Sequence, residues 1–148
     1  MRLRIQFVVA ALAMASLQFA GCEEASTYSK VEPAHVEHKK GEEISKLTLT
    51  EKAIERLDVQ TSPVREGTAA TEGQPATTIV PYSSIIYIAD GKAFVYTSPE
   101  PRVFVRQLVE VDRIEGDDAV LTNGPGPGVL VASVGAVELL GTEFGVGH

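Results

Sequence analysis

The sequence predicts a mainly β fold with minor α content, a small β-barrel or sandwich, and three observations carry that expectation. Two stretches rich in Ile, Val, Tyr and Phe, residues 85–89 and 92–96, flank Asp90-Gly91, a pair tolerant of positive φ that fits a tight primed hairpin turn. Ile and Tyr fall on both faces of the first stretch, which implies burial on both sides and not a one-sided sheet. Short apolar runs punctuated by Gly and Pro continue to the end, and coiled-coil heptads occur nowhere.

The chain has 148 residues, about one domain, with 13 Lys+Arg against 20 Asp+Glu, a formal charge of -7, one Cys and no Trp. Its largest cationic cluster is Lys39-Lys40, so a nucleic-acid surface, which needs a basic footprint, is set aside. At the N-terminus, Arg2 and Arg4 precede an apolar run from Ile5 to Ala20, and small residues follow; residues 1–21 read as an export signal. The run is too short for a spanning helix, which needs about 20 apolar residues, and Glu23-Glu24 block its continuation.

Residues 22–43 contain mostly Glu, Lys, Ser, Thr, Pro and His, so they bury too little apolar surface to offset ordering and are expected to form a flexible tether. The body, residues 44–148, opens with a strand in which Leu47 and Leu49 alternate with polar neighbours. Thr50 then reads as the N-cap of one short helix, with Glu51 in its first turn, Ala53, Ile54 and Leu57 on one side, and Arg56 near its end to complement the dipole. Residues 59–64 return to extended structure with Pro63 suited to an edge, and 65–77 read as a loop. Beyond the hairpin, Val103, Val105, Val109 and Val111 share one face while Arg106, Glu110 and Asp112 fall on a wet one. A charged turn at 114–118, a short strand at 119–122, a Gly-Pro-Gly-Pro-Gly connection from Gly124 and a strand at 129–134 follow. The last element is a helical turn at 136–140 with Gly141 just past its end. The sum is five to seven short strands with one or two small helices.

Candidate chemistry is sparse. Ser-His catalysis needs a base fixed in the body, but the histidines are His35 and His38 in the expected tether and His148 at the end. Glu115, Asp117 and Asp118 lack the ligand spacing of a calcium loop and read as a solvated turn. The Gly124 run has no Lys-Ser/Thr after it, so it is no phosphate cradle. His35-Val36-Glu37-His38 would clamp a borderline metal if it curled into a helical turn, although Pro33 and the polar surroundings favour solvated side chains. No cofactor is expected.

Two resemblances sharpen this reading. Leu17-Gln18-Phe19-Ala20-Gly21-Cys22 resembles the lipobox of bacterial lipoproteins, with Phe19 in place of the usual Leu; it implies that Cys22 is lipidated, by diacylglycerol and palmitate-type chains, and begins the mature protein. A lone exported thiol, with no intramolecular disulfide partner, agrees. Removing residues 1–21 takes away Arg2 and Arg4, leaving 11 cationic against 20 anionic side chains and a charge of -9. An anionic leaflet repels such a body, so acyl chains, at about 0.8 kcal/mol per buried CH₂, would supply the attachment. Glu23 stands where Asp commonly marks inner-membrane retention, which leaves inner against outer membrane open.

The stretch from Leu47 to Val64 resembles the strand-helix-strand of periplasmic adaptor subunits, or membrane fusion proteins, of RND-type efflux systems. Val80-Pro81, the hairpin around Asp90-Gly91, Val103 to Val111, the turn from Gly124 into Val134, and Glu138-Leu139 with Glu143-Phe144-Gly145 are similar to that family's later segments, so the likeness covers roughly residues 44–148. The lipoyl half-motifs and long helical hairpin of full adaptors have no counterpart between 65 and 77. The resemblance implies a shortened, non-catalytic adaptor-like module, in the periplasm and lipid-anchored to a cell membrane, whose partners are an inner-membrane efflux transporter and a full-length adaptor. The competing expectations are an adaptor-like lipoprotein of another envelope complex and a metal-capturing periplasmic chaperone using His35 and His38.

Overall fold

The computed structural model describes residues 32–38, 45–67 and 76–145; the expected export signal, Cys22 and most of the expected tether lie outside them. The chain order is β1 (Ala34–His38), β2 (Ser45–Leu49), α1 (Glu51–Leu57), β3 (Gln60–Pro63), β4 (Arg65–Glu66), β5 (Thr78–Pro81), a 3-10 turn (Tyr82–Ser84), β6 (Ile86–Tyr87), β7 (Ala93–Glu100), β8 (Val103–Glu115), β9 (Asp118–Asn123), β10 (Leu130–Val134) and α2 (Ala136–Glu143). The fold is mainly β, as expected.

The strands pair in the order β3-β10-β7-β8-β9-β5-β4, with β1-β2 joined to the start of β8 and β6 joined to β7. The two ends of this path, β3 and β4, are separated in the chain by Val64 alone, so the sheet returns to its own beginning and forms a nearly closed barrel. Val64 N–H donates to Val129 O at 2.8 Å, and Val64 O accepts from Gly128 N–H at 2.9 Å, which stitches the bend to the Gly-Pro connection. Counting β3 and β4 as one bent strand and the two-residue β6 as a satellite leaves eight strands, one more than the five to seven expected because β1 forms in the expected tether.

Closure gives the barrel strands two buried faces. On β7 and β10, Ala93, Val95 and Val131 join Val64, Val80, Val109, Ala119 and Leu121 inside the ring. Their neighbours Tyr96 and Ala132 point the other way, into a second cluster with Leu47, Leu49, Ala53, Phe104, Ala136 and Leu139. The two helices and β2 cover that outer face.

Thr50 caps α1 as its sequence implies, its Oγ1 accepting from Ala53 N–H at 3.2 Å, with Glu51 and Arg56 at the ends that suit the dipole. Gly135, at φ 79, starts α2; a Cβ there would come within 3.0 Å of Val59 Cγ2 and 3.2 Å of Leu57 O, so the start of α2 seats directly on the end of α1.

Several expectations are corrected. The supposed tether contains β1, because Ala34 and Val36 pack on the outer cluster while the edge of β2 supplies main-chain partners. The 65–77 loop begins with β4. At the hairpin only Gly91 takes positive φ: Ile88 N–H donates to Lys92 O and Gly91 N–H to Ile88 O, a three-residue turn ending in a left-handed glycine and not a primed turn. Asp90 accepts from both Lys92 Nζ and Lys92 N–H, and the Lys92 side chain first of all holds its carboxyl below the usual range. Helix α2 runs through Gly141 to Glu143. Among the described residues no helix is long and apolar enough to cross a membrane.

Three substitutions test these local arguments by urea denaturation. Thr50→Ala should lower stability by about 1 kcal/mol by removing the cap. Gly135→Ala should cost about 2 kcal/mol or more, from left-handed backbone and the clash with Val59. Arg102, held at φ 66 after Pro101, gives the opposite sign: Arg102→Gly should raise stability by up to about 1 kcal/mol.

Candidate functional site

The outer cluster contains one ionic constellation. Tyr96 and Arg106 are direct cross-strand partners in the β7–β8 ladder, so their side chains rise from the sheet on one face. Helix α2 buries Ala136, Leu139 and Glu143 on a single stripe, and the last of these lands over that pair. Tyr96 Oη donates to Glu143 Oε2 at 2.5 Å, and Arg106 Nη2 lies 3.1 Å from Glu143 Oε1, so each carboxylate oxygen has its own donor. Arg106 is 5% exposed and Glu143 6%.

The guanidinium is also sandwiched. Its Cζ is 4.8 Å from the ring centroid of Phe94 on β7 and 5.6 Å from that of Phe144, the residue that ends α2. Burial, and then the neighbouring carboxylate, push the Tyr96 hydroxyl far above its ordinary range, so it remains a neutral donor. Tyr96, Arg106 and Glu143 are thus committed to one another. The arrangement fastens: it pins the end of α2 to the middle of the sheet.

Its rim is apolar. Phe144 is 61% exposed, and Leu108, in register with Phe94 on the same face, is 44% exposed. The clamp therefore holds a firm aromatic and aliphatic surface at the junction of α2 and β8.

Sequence reading missed this site for two reasons. Arg106 alternates in step with the wet residues Glu110 and Asp112, although Phe104 and Leu108 flank it two positions away on the same face, a pattern that signals burial at that end of the strand. Ending the helix at Gly141 hid Glu143, although Ala136, Leu139, Leu140 and Glu143 keep helical spacing across the glycine.

The residues singled out from sequence are placed as follows. His35 is exposed on β1, 3.9 Å from Glu37, and His38 ends that strand. The helical turn on which two imidazoles would converge is thus replaced by extended backbone, and among the described residues no group of three or more His, Cys, Asp and Glu is set to hold a metal. In the acidic turn, Glu115 accepts from Arg113 and Asp118 pairs with Arg65. Cys22 and His148 lie outside the described residues.

The clamp makes an asymmetric prediction. Arg106→Met, which strands a buried carboxylate, should destabilise by about 3–5 kcal/mol, and Tyr96→Phe by about 2 kcal/mol. Arg106→Met combined with Glu143→Leu should recover most of the first loss, since no charge is then left unpaired. Urea midpoints of the four chains check this; a double variant no more stable than Arg106→Met alone would contradict it.

A scan against protein-family models, a search of the curated proteins and a search of the solved structures each return no match, so the functional reading rests on this chain's own residues and geometry.

Proposed function

We propose that this chain is a lipid-anchored, non-catalytic, adaptor-like binding module of the bacterial envelope, associated with an RND-type efflux transporter of the inner membrane. The observation that carries the reading is the apolar rim of Phe144 and Leu108, exposed on elements that Arg106, Glu143 and Tyr96 lock together. Aromatic and aliphatic side chains presented on a rigid support lose little entropy on association, which suits a docking surface. The buried ionic groups, engaged with one another, suit support and not turnover.

The resemblance of residues 44–148 to efflux adaptors supplies the class of partner. The lipobox-like segment ending in Cys22 supplies the anchor, and the acidic body makes hydrophobic attachment the consistent mode. Ala34 is twelve positions after Cys22, so acylation at Cys22 would keep β1 within about 40 Å of the bilayer surface, where a transporter's periplasmic portion stands.

Two measurements test this. Cys22→Ser should move the protein from the membrane fraction into the soluble periplasmic extract; retention in the membrane would contradict the anchor. Affinity capture from detergent-solubilised membranes should enrich an inner-membrane transporter, and Leu108→Glu with Phe144→Glu should reduce that enrichment at least about tenfold, as loss of a central apolar contact does. Unchanged capture by the double variant would remove the rim as the docking surface.

A further inference from the structure

Among the described residues nothing pairs with the outer edge of β1. Leu49 N–H donates to Arg102 O at 2.9 Å, so the odd residues of β2 direct their main-chain groups at β8. Thr50 N–H donates to Pro33 O at 3.0 Å, so the even residues direct theirs at β1. With His35 opposite Thr48 and Glu37 opposite Lys46, the main-chain groups of His35 and Glu37 meet β2, and those of Ala34, Val36 and His38 face away. Among the described residues β1 pairs with β2 alone. Side chains divide the same way, with Ala34 and Val36 packed on the outer cluster and His35 and Glu37 exposed.

We propose that this edge pairs with β1 of a second copy, antiparallel about a twofold axis through Val36. In that register Val36 meets Val36 of the other copy and Ala34 meets His38, so every outward-facing main-chain group of the strand is satisfied. The same register sets His35 opposite Glu37 twice over, at non-hydrogen-bonded positions, where cross-strand side chains come closest. An imidazole N–H donates to a carboxylate in either protonation state. Neighbouring registers are worse: a slip of two residues one way opposes Glu37 to Glu37, and the other way His35 to His35. The pattern is therefore complementary to itself, as a twofold interface requires. Between the flanking Pro33 and Lys39, β1 itself contains no proline, no lysine and no bulge in its pairing with β2. Pairing would carry the β8-β2-β1 sheet across the axis into the second copy, extending the strip formed by Ala34 and Val36.

Sedimentation equilibrium of the full chain in a density-matched detergent tests this by mass. The wild-type chain should form a concentration-dependent dimer. His35→Glu, which opposes acid to acid at both symmetric pairs, should weaken it roughly tenfold or more, and His35→Glu with Glu37→Lys should restore it to within a few-fold, since both pairs are then opposite in charge again. Both side chains are exposed, and circular dichroism verifies that the barrel is intact. Independently, His35→Cys with Glu37→Cys in a Cys22→Ser chain should close intermolecular disulfides on mild oxidation, because Cα atoms at these non-hydrogen-bonded pairs lie about 4.5 Å apart with side chains closest. Leu130→Cys in the same background should not. A monomer at every concentration, or a dimer indifferent to His35→Glu, overturns the proposal.

Discussion

The architecture depends on a single bend in the chain. Residues 60–66 supply both ends of the sheet, β3 pairing with β10 on one side of Val64 and β4 with β5 on the other. Val64 is itself buried in the ring and bonded through both its N–H and its C=O to the 128–129 segment. That one residue brings the two ends of the sheet together into a nearly closed ring. The interior then closes over Val, Ala and Leu side chains small enough to fill it.

The second consequence of closure lies outside the ring. Strands curled around one core must turn their alternate side chains outward, and on β7, β8 and β10 those side chains are Tyr96, Phe104, Arg106 and Ala132. Helices α1 and α2 seat on them, and Gly135 allows the close contact between the two helices. Arg106 would be an intolerable buried cation there without Glu143, and Glu143 an equally costly anion without Arg106 and Tyr96. The polar trio thus specifies where α2 ends, and so where Phe144 is displayed. Stability and surface chemistry meet in the same few side chains.

The fold class was legible from local patterning because the strands advertise themselves: Asp90-Gly91 between two β-rich runs, Val alternation after residue 103, and Gly-Pro punctuation before 129 are short-range signals. Thr50 likewise marks a helix start by local stereochemistry. What local patterning carried only faintly was what closure creates. The same Arg106 that reads as solvated by its charge is buried because α2, thirty residues later in the chain, covers it. Composition made residues 34–38 look like a leash, whereas the open side of β2 recruits them as a strand. The metal expectation for His35 and His38 presumed a helical turn that the edge of β2 replaces with extended backbone.

Closure fills the ring with Val, Ala and Leu side chains and turns Tyr96, Arg106 and Phe104 outward, so it underlies the proposed surface role as much as the fold. Native-state hydrogen exchange at the Val64 amide addresses it most directly. If the bend closes the ring, this amide should exchange only through global unfolding, with the same free energy and denaturant dependence as the Val95 amide in the middle of β7. Exchange through a low-energy local opening, comparable to the exposed Gly91 turn, would show that the ring is not held shut there and would contradict the account.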